Sequence, residues 1–261
     1  MTLDLTVARQ MVGADMLRLR KKRGMIALAL AAMLVPLVIV TGYDVVKHAS
    51  DPAHYGPAGG LNSYGRLLDL LGVFMGPVAA ILIGAEAGAG DLAAGVFRDN
   101  VLTGRSRTAL FLARIPAAAA VTLAVTAVAY VLGVAATFVF AGGLATPSLS
   151  LILQSVAWLA LANSVVCVIA LGVASLTGSR TGTITGLIAW ELVLSPLVVQ
   201  AASLGTLRRG LLDAVLLFLK PGPLTGPPVI PMAVAVAVVV TIAWLLVLPT
   251  LGAWRMRTRD A

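Results

Sequence analysis

The chain has 261 residues, 59% of them hydrophobic and only 11% charged, with a formal net charge of +8. Soluble domains carry charge on about a quarter of their residues, so this composition excludes an ordinary soluble protein and points to a polytopic membrane protein. The basic excess lies beside apolar runs and not along a face with aromatics for stacking, which argues against nucleic acid as a partner. The one cysteine, Cys167, leaves no disulfide framework and no thiolate metal site.

Residues 2–23 place Leu5, Ala8, Val12, Met16 and Leu19 at three-and-four spacing, with Arg9, Arg18 and Arg20 off that stripe. This is the pattern of an amphipathic helix lying in the membrane interface. A basic cluster at 18–23 follows, and the apolar run 24–43 is long enough to cross about 30 Å of hydrocarbon as a first span. A cleaved signal peptide is the competing reading, but the apolar region is too long and the stretch before it too extended. Residues 44–66 are rich in Gly, Pro and polar groups and hold both histidines, His48 and His54, so they read as an exposed loop. The histidine spacing matches no helical ligand pair, and no metal site is expected. Span two covers 67–85, with Asp69 expected in its first turn, where a carboxylate suits the positive end of the helix dipole.

Span three covers 112–140 and ends at Gly142, Gly143 and Pro147. Span four, 151–176, carries Gln154, Asn163, Ser164 and Ser175, polar groups of the kind that satisfy one another across membrane helices. Span five, 183–204, contains Glu191 in mid-run, the most unusual residue of the apolar portion; it is expected to turn from lipid toward Asn163 or Gln154 or toward a wet cavity. The stretch 211–219 is apolar but too short to span and is bracketed by Arg208, Arg209 and Lys220, so it reads as re-entrant or interfacial. Span six covers 231–251, before Arg255, Arg257 and Arg259. With both termini cytoplasmic, most of the Arg and Lys residues fall on the cytoplasmic side and only Lys47, Arg66, Arg208, Arg209 and Lys220 fall outside, which sets the orientation in the cytoplasmic membrane.

Between spans two and three, residues 83–115 break the apolar pattern with Glu86, Asp91, Arg98, Asp99, Arg105, Arg107 and Arg114. Each would cost roughly 2.5 to 3.5 kcal/mol in hydrocarbon, so the segment is expected in water or at the headgroups, with a short amphipathic helix over 92–102. The order Gly84, Glu86, a small-residue turn at Gly88 and Gly90, then Arg98, Leu102, the 104–107 run and a basic residue at Arg114 resembles the signature after the second span of type-2 ABC exporter permeases. The resemblance implies an all-α permease of six spans, with an N-terminal elbow helix, a cytoplasmic coupling helix after span two and a short re-entrant or interfacial helix before span six. It further implies a separately encoded ATPase holding ATP and Mg, a second permease copy or a related chain, and coupling through Glu86, Asp91, Arg98, Arg105, Arg107 and Arg114. Glu191, Asn163, Gln154 and Ser164 would line the substrate path.

No chemistry of the chain's own is spelled out. There is no G-x-x-x-x-G-K-[ST] phosphate loop, so no ATP site of that kind, and no cofactor is expected in this chain. No pair of intramembrane acids and no histidine within a span is legible, and Ser164 and Ser175 have no base in sequence reach, so no catalytic residue is assigned. The other readings are a membrane-embedded lipid-modifying enzyme using Glu191 with His48 or His54, and a non-transporting scaffold or sensor subunit.

Overall fold

The computed structural model describes residues 5–93, 106–222 and 229–258. The amphipathic helix 92–102, Arg98, Asp99, Arg105 and Arg259 lie outside them. Among the described residues the chain is all-helical and contains no strand. Six helical stretches are long and apolar enough to cross a membrane: Arg23–Ser50, Gly60–Asp91, Arg107–Val139, Leu149–Thr177, Arg180–Gln200 and Val234–Thr258. This is the architecture of a multi-pass membrane protein.

Helix α1 (Leu5–Lys21) buries Met11 and Leu19 and packs against the span that follows residue 106. Arg18, Arg20 and Lys21 fill its last turn, where cations suit the negative end of the helix dipole. The chain turns at Lys22 into α2 (Arg23–Ser50), whose 28 residues reach about 42 Å, well beyond a hydrocarbon core. The expected loop over 44–66 is therefore much shorter. Asp44, Lys47 and His48 belong to α2, and α3 (Gly60–Asp69) starts before Arg66. Arg66 pairs with Asp44 across the two helices at 2.7 Å.

Helix α3 passes through a wide π-helical turn (Leu70–Phe74) into α4 (Met75–Ala93). Asp69 is thus at the end of α3, ten residues into the helical stretch, and does not cap its first turn. The expected turn at Gly88 and Gly90 is helical as well. A methyl group at Gly84 or Gly88 would overlap the carbonyl oxygens of Cys167 and Leu171, so these glycines let α4 lie directly on its neighbour. Small residues four apart permit this close approach in membrane helices, where packing replaces the hydrophobic drive.

Ser106 caps α5 (Arg107–Val139) by accepting from the Ala109 N–H at 3.2 Å. Ser148 caps α6 (Leu149–Thr177) likewise through Leu151, and Gly178, at φ 68°, ends α6 in the left-handed conformation that costs glycine least. Helix α6 is the hub of the bundle, with α4 on one side and the last span, α10 (Val234–Thr258), on another. Gly172 and Gly252 bring α6 and α10 together, a Cβ on Gly252 falling 2.7 Å from the Gly172 carbonyl oxygen.

The fifth span is broken into α7 (Arg180–Ala189), a second π-helical turn (Trp190–Leu194) and α8 (Ser195–Gln200). A 3-10 stretch (Ala202–Gly210) then leads to α9 (Leu212–Phe218), the short helix anticipated from its length. Leu212, Ala214, Val215, Leu216 and Leu217 are buried, so α9 sits inside the bundle. Two indoles hold it: Trp158 Nε1 donates to the Leu216 carbonyl at 2.8 Å, and Trp244 Nε1 donates to that of Gly210 at 3.1 Å.

Candidate functional site

Two polar layers interrupt the apolar bundle. The first lies where α1, α4, α5 and α7 meet. Asp91, near the end of α4, pairs with Arg18 of α1 and, at 2.6 Å, with Arg114 of α5. Arg18 also reaches Asp15 at 3.3 Å. One turn earlier on α4, Glu86 pairs with Lys22 at 3.2 Å and with Arg180 of α7 at 2.9 Å. Glu86 is 4%, Asp91 5% and Arg114 2% exposed. The expectation that these charges sit in water is thereby corrected. They are taken out of water by pairing with one another, which is the condition for burying an ion without changing its charge. Glu86 in particular is not a solvated surface charge, since one of its oxygens faces Lys22 and the other Arg180. Arg107 opens α5, and the layer brackets residues 94–105 from both sides. Burial raises the Asp15 carboxyl above the usual carboxylate range, against the opposite pull of Arg18 and Arg114.

The second layer is organised by α9, which carries Asp213 in its first turn and Lys220 just past its end. Each engages an acid at one of the two π-helical turns. Lys220 Nζ meets Asp69 Oδ1 at 2.5 Å, immediately before the first turn, and Lys220 is 7% exposed. Asp213 lines the same cavity as Glu191, which stands inside the second turn, and accepts a hydrogen bond from the Ser195 hydroxyl. The reading that no intramembrane acids pair is corrected here. Asp213 stands in a run of apolar residues and is separated from Glu191 by more than twenty positions, so only the folding of α9 into the bundle brings the carboxyls together.

Glu191 therefore does not bond to Asn163 or Gln154. Asn163 is fully buried elsewhere, its Nδ2 donating to the Leu71 carbonyl at 3.1 Å and to Thr126 Oγ1 at 3.2 Å. A π-helical turn leaves backbone carbonyls without their usual i→i+4 partner, and Asn163 satisfies one of them. Gln154 is exposed on α6 and Ser164 is half-buried. Beside Glu191 is a cavity of about 220 Å³ whose walls include Ile169, Trp190, Ser195, Asp213 and Trp244, and neither Asn163, Gln154 nor Ser164 lines it. The histidines are also elsewhere. His54 pairs with Asp51 at 2.7 Å, and the His48 ring nitrogen lies 2.7 Å from the Tyr55 carbonyl, both exposed at the end of α2. The structure does not bring them to Glu191. Among the described residues no group of three or more His, Cys, Asp or Glu is placed to hold a metal ion.

Compared with models of known protein families the chain matches none, and a search of curated proteins gives no match. What the sequence and geometry together establish is an all-helical, multi-pass membrane protein with six candidate spans, a buried ion-pair layer at one level and a carboxyl-lined cavity at another.

Proposed function

We propose that the chain is the membrane subunit of a type-2 ABC exporter, working with a separately encoded ATPase and a second permease chain. The observation that carries this reading is the ion-pair layer around residues 94–105, the segment whose sequence resembles the coupling helix of that family. The ends of α4 and α5 on either side of the segment are tied through Asp91 and Arg114 to Arg18 of α1, and through Glu86 to Arg180 of α7. A push on 94–105 would reach several helices at once, because the ion pairs tie α4 to α1, α5 and α7. Glu86, Asp91 and Arg114 then transmit motion, and the contact with the ATPase falls to Arg98, Arg105 and their neighbours. Hydrolysis of ATP with Mg belongs to the partner. The arginine and lysine bias supports a cytoplasmic location for both termini and for 94–105.

The test is purification of the tagged chain from its native membrane, followed by identification of associated proteins and assay of Mg-dependent ATP hydrolysis. An ATPase with a G-x-x-x-x-G-K-[ST] loop should co-purify in stoichiometric amount and dissociate when Arg98 and Arg105 are both replaced by Glu. A chain that purifies without any ATPase, or an association indifferent to those charges, overturns the reading. Cysteines introduced near Ser106 should resist labelling from outside sealed cells while those near Pro57 react. Ready labelling at Ser106 would reverse the orientation.

A further inference from the structure

The carboxyls at the cavity differ from every other acid among the described residues. Asp15 has Arg18, Asp44 has Arg66, Asp51 has His54, Asp69 has Lys220, Glu86 has Lys22 and Arg180, and Asp91 has Arg18 and Arg114. Glu191 and Asp213 share one cavity wall, and among the described residues the one polar contact of the two is the Ser195 hydroxyl donating to Asp213. No Lys, Arg or His among the described residues pairs with either. Two carboxyls at one cavity repel each other when both are ionised, so negative charge there calls for a cation. That charge would lack an internal counterion at a depth where one is needed: Glu191 stands eleven residues beyond Arg180, about 16 Å along the helix and so near the middle of a hydrocarbon core of about 30 Å.

The space beside the pair suits something that is both cationic and apolar. The cavity of about 220 Å³ is walled mainly by apolar side chains, with Trp190 and Trp244 contributing indoles. Trp244 has its N–H engaged by the Gly210 carbonyl, which fixes the indole at the cavity wall. Indole rings attract ammonium groups through their quadrupole, and more strongly when water is absent. Convergent polar groups in one corner of an otherwise apolar hollow are the usual anatomy of a small-molecule site.

We infer that this cavity binds a small lipophilic ammonium ion, its N–H groups shared by Glu191 and Asp213 and its apolar part held against Trp190, Trp244 and Ile169. The size of the hollow restricts the ligand to about one ring with a short chain. As a binding site on the chain itself it does not depend on an ATPase; that the bound amine is also the exported compound rests on the permease reading, and the two fail separately.

The experiment measures binding of labelled 2-phenylethylamine to the full chain in lipid nanodiscs without any ATPase, with 2-phenylethanol and 3-phenylpropanoate as neutral and anionic competitors. Saturable binding is expected, with the alcohol competing at least tenfold less well than the unlabelled amine and the acid not at all. Glu191→Gln combined with Asp213→Asn should weaken the amine at least tenfold while keeping the hydrogen bonds of the site. Ile169→Phe, which fills the hollow without touching a carboxyl, should do the same in a chain that remains monodisperse. Binding no greater than to empty nanodiscs, an alcohol that competes as well as the amine, or an amide double variant that binds like the parent overturns the inference and makes the pair a structural link only. If a variant fails to assemble, the amine-against-alcohol comparison on the unaltered chain decides.

Discussion

The two polar layers solve the same problem in opposite ways. Around Asp91 each buried acid meets cations from other parts of the chain, so the protein supplies its own neutralisation; the Asp91–Arg114 pair at the centre is dry, while Lys22 and Arg180 stay partly exposed. Around Glu191 the acid meets a second acid, and neutralisation has to come from a proton or from something that enters the cavity. Both layers cost desolvation, but only in the second do the acids lack a cation among the described residues. The difference teaches that an intramembrane carboxylate is not by itself a transport residue: its partner decides. Asp69 and Glu191 stand at equivalent π-helical turns, and Lys220 closes the first while Asp213 leaves the second open.

The largest effect should come from breaking the dry layer. Asp91→Ala strands Arg114, which is 2% exposed, and removal of one partner of a buried pair costs about 3 to 5 kcal/mol. The variant is expected to lose most of its yield of monodisperse protein, with a lowered melting temperature in what remains. A near-normal melting curve would show that water reaches Arg114 and that the layer is not dry.

A smaller loss is expected at the closed turn. Lys220→Met leaves Asp69 buried without its cation and should destabilise by about 2 to 4 kcal/mol, whereas Lys220→Met together with Asp69→Asn should recover more than half of that loss. Additive losses in the double variant would mean that the pair is not coupled and that Asp69 and Glu191 cannot be contrasted as closed and open sites. Glu191→Gln should cost less again, within about 1 kcal/mol, since an amide keeps a hydrogen-bonding group in the same place. A loss as large as that of Asp91→Ala would erase the distinction between the layers.

The smallest effect sharpens the edge of the first layer. An acid whose folded value is raised is destabilising once ionised: for Asp15 the penalty is absent below its ordinary value and fully present above the raised folded one. Asp15→Asn removes it, so the change in melting temperature relative to the parent should be more favourable at pH 7 than at pH 4. The opposite sign would show that the Asp15–Arg18 pair outweighs the burial of the carboxyl.

Much of this was legible before any coordinates. The apolar runs announce six spans, the stripe from Ala8 to Leu19 announces α1, and the brackets around 211–219 announce a short helix that does not cross. Charge was the less reliable guide. Glu86, Asp91 and Arg114 look like surface residues because a single charge cannot stay in hydrocarbon, and the sequence does not display that their countercharges arrive from Arg18, Lys22 and Arg180. Gly88 and Gly90 look like a turn because glycine breaks isolated helices, while here both are helical and Gly88, with Gly84, is a contact point for the carbonyls of α6. Asn163 is a polar group in an apolar run, and what the sequence does not display is that it donates to a carbonyl freed by a π-helical turn, an irregularity that leaves no mark in composition.

Hydropathy and length, summed along the chain, determined the class of the protein, its helix count and the existence of α9, because the bilayer acts on each segment separately and the signal is local. Tertiary structure alone decided which charges are paired and which acid stays open. Asp69 with Lys220 and Glu191 with Asp213 join residues far apart in sequence, and their meeting depends on α9 being pinned by Trp158 and Trp244 between α6 and α10. Pairing of ions is a matter of a few ångströms, and no periodicity carries that distance.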